Sequence, residues 1–212
     1  MARVPSSSFA LRTRDLCFAY GAVDVLHDVS VTLRFGEVAA IAGPNGSGKS
    51  TLVELMAGVR RPRRGAVERH GDLALVVQRP VAPAELPVTA ADVVAMGTWK
   101  KGVRMSRLAA REAVAEALER VGMTAFALRP LTDLSGGQRQ RVLVAQGIVR
   151  RPDILLLDEP AAGLDSESVA RTQRILAEEA ARGAAVACVS HDDAAIAAAD
   201  RVIRLAHGIL AA

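Results

Sequence analysis

The sequence predicts an α/β fold: a mostly parallel sheet built around a phosphate-binding loop, an antiparallel β subdomain at the N-terminus and a small inserted helical lobe. Three observations predict it. The run Gly43-Pro44-Asn45-Gly46-Ser47-Gly48-Lys49-Ser50-Thr51 matches G-x-x-x-x-G-K-[ST] and stands between an apolar strand and a helix. Short Val/Leu/Ile stretches alternate with helical ones, the pattern of a parallel sheet covered on both faces. A segment from about 79 to 133 interrupts that alternation with prolines and two amphipathic helices. At 212 residues the chain suits one domain, its core formed by about 1–78 and 134–212 and its lobe by about 79–133.

Taken in order, Leu11 to Tyr20 and Val23 to Phe35 alternate loosely and read as two antiparallel strands joined at Gly21. Val38 to Ala42 is an apolar strand leading into the glycine-rich loop, and Leu52 to Ala57 continues the helix behind it. Gly58 to Gly65 carries Arg60-Arg61-Pro62-Arg63-Arg64 and reads as a solvated basic turn. The strand Leu73 to Val77 ends at Gln78, and Pro80, Pro83 and Pro87 then break regular structure. Thr89 is placed to cap a helix Ala90 to Met96. Trp99, Lys100 and Lys101 fall in a basic loop, and Ser106 is placed to cap a helix through Val121. Beyond the lobe the expected elements are a helix Gly136 to Arg150, a strand Ile154 to Leu157 and a helix Ser166 to Arg182. A strand Ala185 to Val189, a short helix Asp193 to Ala199 and a strand Arg201 to Leu205 follow.

Composition narrows the function classes. Half the residues are hydrophobic but only 3% are aromatic, so the core must be Ala, Val and Leu. No apolar run approaches the ~18 residues a membrane span needs. Met1 to Ser8 lacks an apolar stretch after its arginine, so no secretory signal is expected. Cys17 and Cys188 lie in apolar segments and read as buried thiols of a cytosolic protein. The net charge of +4 comes with no stripe of Arg or Lys interleaved with aromatics, so nucleic acid is not an expected partner.

The glycine-rich loop defines a nucleotide site. Its glycines let successive N–H groups point inward at a helix N-terminus, where they and the helix dipole hold phosphate oxygens. Lys49 adds a point charge for the β- and γ-phosphates, and Ser50 offers a hydroxyl to Mg²⁺. The strand from Ile154 ends in Asp158, a carboxylate suited to Mg²⁺, and Glu159 beside it suits a base for the attacking water. Leu134-Ser135-Gly136-Gly137-Gln138 opens a helix and makes a second anion site, which one chain with one phosphate loop does not itself need. That surplus points to a nucleotide held mainly by another copy. His191 follows a strand at the edge where ligands of α/β sheets bind. Tyr20 is the only tyrosine, and a lone aromatic there is either a packing residue or a platform for a purine base.

In sequence order, GPNGSGKST, Gln78, LSGGQRQR, ILLLDEP, Gly163-Leu164-Asp165 and Ser190-His191-Asp192 resemble the nucleotide-binding subunits of ABC transporters, which have a P-loop NTPase core. The likeness runs from about Leu11 to Gly208. It implies that Tyr20 stacks on adenine and that Gln78 touches Mg²⁺ or water and links the site to the transmembrane partner. It also implies that Ser135, Gly136, Gly137 and Gln138 bind the nucleotide of the opposite subunit and that Asp165 lies across the dimer interface. Asp158 would serve Mg²⁺, Glu159 would be the general base and His191 the switch. Two ATP molecules would be sandwiched in a homodimer on the cytoplasmic face of the membrane, bound to permease subunits and, through them, to an extracytoplasmic solute-binding protein. Val77-Gln78-Arg79 followed by Pro87-Val88-Thr89-Ala90-Ala91-Asp92-Val93-Val94-Ala95-Met96-Gly97 is similar to the importers of zinc, manganese or iron. Siderophore and haem importers carry similar stretches, an exporter would use the same core, and a soluble, non-transport ABC ATPase acting on nucleic acid is the remaining alternative.

Overall fold

The computed structural model describes residues 8–77, 88–100, 102 and 105–211. The elements run β1 (Leu11–Tyr20), β2 (Val23–Val29), β3 (Thr32–Leu33), β4 (Val38–Ala42), α1 (Lys49–Ala57), β5 (Arg64–Arg69), β6 (Leu73–Val76), α2 (Ala90–Met96) and α3 (Arg107–Arg120). After two 3₁₀ turns come α4 (Gly136–Ile148), β7 (Ile154–Asp158), α5 (Ser166–Ala181), β8 (Ala185–Val189), α6 (Asp193–Ala197), β9 (Arg201–Ala206) and β10 (Ile209–Leu210).

The chain separates into two compact units. One comprises Met1–Leu75, Pro152–Glu159 and Leu176–Ala212; the other comprises Val76–Arg151 and Pro160–Ile175.

The first unit holds an antiparallel sheet in which β1 pairs with β2, β3 and β5. The single strand expected over Val23 to Phe35 is two. Asp15 and Asp28 take left-handed backbone at φ 46° and 52°, and Ser30 Oγ accepts from the Asp15 amide at 2.8 Å. This local bonding competes with the ladder, so β2 and β3 meet different halves of β1. β5 was not foreseen. Its sequence RGAVER is charged and lies on an exposed edge, where no apolar alternation betrays a strand.

The second sheet has the order β10-β9-β4-β8-β7-β6, with β4, β7, β8 and β9 parallel. All five residues of β8 are buried, as a strand covered on both faces requires. Leu52, Leu55 and Met56 of α1 join Leu11, Leu16, Leu26 and Leu33 of the antiparallel sheet in one core with Ile154, Leu156, Ala187 and Val189 of the parallel one. Burying such a Leu or Met side chain contributes about 1.5–3 kcal/mol. The phosphate loop is thus anchored to a helix gripped by that core.

The second unit is helical. α2 begins at Thr89, whose hydroxyl accepts from the Asp92 amide while Asp92 accepts from the Thr89 amide, a reciprocal capping box. α3 begins at Ser106, whose side chain accepts from the Ala109 amide. Buried Val93 and Val94 of α2, Ala117 and Leu118 of α3 and Val142, Leu143 and Ala145 of α4 supply apolar faces. Gly97 ends α2 so close to α4 that a Cβ there would sit 2.3 Å from the Gln146 carbonyl oxygen.

Candidate active site

β4 ends in the middle of the parallel sheet with β8 and then β7 on one side. Ile41 is level with Val189, and Val189 with Asp158. The strands are parallel, so the loops after β4, β7 and β8 leave from the same edge, where α/β sheets bind ligands.

The loop after β4 wraps tightly. Gly43 approaches the Leu205 carbonyl oxygen so closely that a Cβ would lie 2.0 Å from it, and Gly48 adopts φ 98° as the N-cap of α1. Pro44, Asn45 and Gly46 form the exposed crest. Ser47 and Thr51 are buried, and the Ser47 hydroxyl has no hydrogen-bond partner among the described residues. Lys49 is also buried, and its Nζ donates to the carbonyls of Gly43 and Pro44 at 2.9 Å each. α1 has no acidic residue in its own first turn, so the helix itself carries no charge that offsets the positive end of its dipole.

Two pairs flank this cradle. Ser50 Oγ donates to Asp158 Oδ1 at 3.1 Å. Burial pushes the Asp158 carboxyl upward, partly offset by that hydrogen bond and reinforced by neighbouring Glu159. The second pair is Glu159 Oε1 and His191 Nδ1, 3.5 Å apart, with Glu159 mostly covered and His191 open to solvent. Glu159 has a left-handed backbone at φ 49°, a conformation that costs a side-chain-bearing residue about 1–2 kcal/mol. Its amide donates to the Val189 carbonyl at 3.2 Å, which ties the turn to the end of β8.

Tyr20, at the end of β1, is 43% exposed. Its hydroxyl lies 3.4 Å from Thr51 Oγ1, and Phe18 meets it edge to face with centroids 4.9 Å apart. The Arg60 guanidinium sits over the Tyr20 ring, 4.7 Å from its centroid. Sequence reading placed Arg60 in a solvated turn and missed this contact. Only the β1–α1 arrangement brings the two side chains together.

In the other unit, Ser135 caps α4. Its hydroxyl accepts from the Gln138 amide at 3.2 Å, and Gln138 Oε1 accepts from the Ser135 amide at 2.9 Å. Gly136 has open space where a Cβ would be, and Gly137 would set one 3.1 Å from Leu164. Asp165 accepts from the Ser168 amide at 2.8 Å and from its hydroxyl at 3.1 Å, bonds that hold its carboxyl below the usual range. Ser135, Gln138 and Asp165 thus already serve helix starts in the isolated chain. Gln78 lies outside the described residues. Cys188 is buried as expected, but Cys17 is half-exposed, its Sγ 3.3 Å from Asp28 Oδ1. The bulged β1 strand turns it toward charged neighbours.

A phosphate cradle at a helix start, with a hydroxyl–carboxylate pair and a carboxylate–histidine pair beside it, defines a P-loop nucleoside triphosphatase. The family model for the ABC transporter matches residues 26–162. The chain belongs to the ABC transporter family, as an ATP-hydrolysing domain. It is 42% identical over 189 residues to the zinc import ATP-binding protein ZnuC of Cereibacter sphaeroides, covering 87% of this chain and 74% of that protein. It is 38% identical over 229 residues to the hemin import ATP-binding protein HmuV of Thermobifida fusca, covering 99% of this chain and 78% of that protein. Among solved structures, the ATP-binding cassette MJ0796, a dimer in a post-hydrolysis state bound to ADP and Pi, superposes with a TM-score of 0.85 at 25% identity. That match covers 95% of this chain and 97% of the other. No helix among the described residues is long and apolar enough to cross a membrane.

Proposed function

We propose that this chain is the ATPase subunit of a membrane importer for a divalent metal such as zinc, manganese or iron. It works as a homodimer around two ATP molecules, on the cytoplasmic face of the membrane against permease subunits. An extracytoplasmic solute-binding protein delivers the cargo to the permease. The observation that carries the ATPase reading is the gathering of Lys49, Ser50, Asp158, Glu159 and His191 at one sheet edge. The cargo reading rests on the zinc-import relative and on the Val77-to-Gly97 stretch.

In this reading the loop amides and Lys49 bind the β- and γ-phosphates, and Lys49 exchanges its two carbonyl contacts for phosphate oxygens. Ser50 Oγ and Asp158 Oδ1 are two hard oxygen donors already within reach of each other, a set that fits Mg²⁺. The ion would supply charge neutralisation at the phosphates. Glu159 takes the proton of the attacking water, and His191 holds that carboxylate in place and serves as the switch that senses loss of the γ-phosphate. Ser135, Gly136, Gly137, Gln138 and Asp165 serve the nucleotide of the opposite copy, and Gln78 links the site to the permease. Tyr20 is the base platform. Domain organisation follows the same logic, a single ATPase domain with a helical lobe.

The test is cellular zinc, manganese and iron in a deletion strain under metal limitation, complemented with wild type or Glu159→Gln. One metal should fall, and only wild type should restore it. The hemin-import relative, which matches nearly the whole chain, favours hemin as the second reading. Unchanged metals together with lost growth on hemin as the sole iron source would select it.

A further inference from the structure

The turn after α1 returns Arg60 to the base end of the site. Gly58 closes α1 at φ 79°, and the amides of Val59 and Arg60 both point to the Glu54 carbonyl. The Arg60 Nε then donates to Glu54 Oε2, one turn inside α1. From that anchor the guanidinium lies 4.7 Å from the Tyr20 centroid and 5.9 Å from that of Phe18. The Phe18 and Tyr20 rings are themselves 4.9 Å apart and nearly perpendicular, at 85°. These three separations put Phe18 and Arg60 in roughly perpendicular directions from the Tyr20 ring. With the guanidinium over one face, Phe18 sits at the rim and the opposite face is left to neither.

We infer that Arg60, held by Glu54, is a positioning residue for the nucleotide base: it caps one face of Tyr20 so that the other is presented to a purine. The inference rests on the reading of Tyr20 as the base platform. Two physical effects act together. The cation–π contact and the Phe18 edge lock the ring, so less freedom is lost when a base stacks on it. The positive charge on the far face also draws electron density through the ring, which favours stacking with an electron-rich purine. Nearby Arg63 and Arg64 do different work, since they pair with Asp24 and Asp28. Because Glu54 belongs to the helix that starts at Lys49, the pair ties the base platform to the phosphate cradle.

The experiment is calorimetric titration of the full chain with ATP, and separately with inorganic tripolyphosphate, both in EDTA to prevent turnover. Wild type, Tyr20→Ala, Arg60→Ala and Arg60→Lys are compared. Arg60→Ala should weaken ATP about threefold to tenfold, the order expected for a partly exposed cation–π contact with its anchor. Its tripolyphosphate affinity should stay within about twofold of wild type, and Arg60→Lys should recover part of the loss. Normal ATP binding by Arg60→Ala alongside weak binding by Tyr20→Ala would overturn the inference and leave the platform reading standing. Equal losses for ATP and tripolyphosphate, or Arg60→Lys no better than Arg60→Ala, would also overturn it. Normal ATP binding by Tyr20→Ala would remove the platform reading itself.

Discussion

Ser50 Oγ donates to Asp158 Oδ1 across 3.1 Å, joining the first turn of α1 to the end of β7. The bond links two residues 108 positions apart and sets the hydroxyl and the carboxylate side by side at the mouth of the phosphate loop. Asp158→Asn keeps an oxygen that can accept from Ser50, so the fold should survive. Mg²⁺-dependent ATP hydrolysis should fall by about 100-fold or more, the scale for losing one charge-stabilising group. Steady-state phosphate release with circular dichroism as the folding control checks both halves.

Glu159 and His191 form the second pair. Glu159→Gln should lower hydrolysis by about 10²- to 10⁴-fold, the contribution of a positioned base, while ATP still binds. The ATP-loaded mutant should accumulate as a dimer on a sizing column. A purely monomeric elution would count against the two-copy arrangement.

Gly97 is required by close approach rather than by backbone angle. A Cβ would stand 2.3 Å from the Gln146 carbonyl oxygen and 2.8 Å from a Val149 methyl. Backbone cannot yield as a flexible side chain can. Gly97→Ala should therefore cost about 1–3 kcal/mol, the range for overpacking, read as a lower urea midpoint.

Asp92 carries a pH-dependent share of stability. Its hydrogen bonds from the Thr89 hydroxyl and amide hold its carboxyl below the ordinary value. A depressed folded pKa means that the unfolded chain binds the proton more readily. The contribution is therefore full above the unfolded pKa and is lost as pH falls through the folded one. Asp92 is largely solvated, so its effect is small. Asp92→Asn should lower the melting temperature slightly at pH 7, and the gap from wild type should close in strong acid.

The two thiols should separate by reactivity. Burial pushes the Cys188 thiol up to about 12, so almost no thiolate forms at pH 8. Cys17 is half-exposed. Native protein should take one equivalent of iodoacetamide, at Cys17, and denatured protein two, as counted by intact mass.

The strands β4 and β8, the caps at Thr89 and Ser106, and the order of the motif residues were legible in the sequence because each rests on neighbours a few positions away. Apolar runs, cap hydroxyls and glycines act locally, and their spacing carries the geometry with it. The expected bounds of β1 and β8 coincide with the observed ones for this reason. β5 and the break between β2 and β3 were illegible. The first has a charged edge sequence with no periodicity, and the second depends on side chains that bond across β1.

By itself, then, the sequence determined which groups are at hand: a glycine-rich loop with Lys49 and Ser50, the adjacent carboxylates Asp158 and Glu159 at a strand end, and His191. Only the tertiary structure decided which of them meet. Parallel strands of matching register bring Ser50 to Asp158 and Glu159 to His191. The closing turn of α1 lays Arg60 on Tyr20, 40 residues away. Such contacts form because separate segments bury their apolar faces in one core, and no local pattern encodes where the polar ends of those segments will lie.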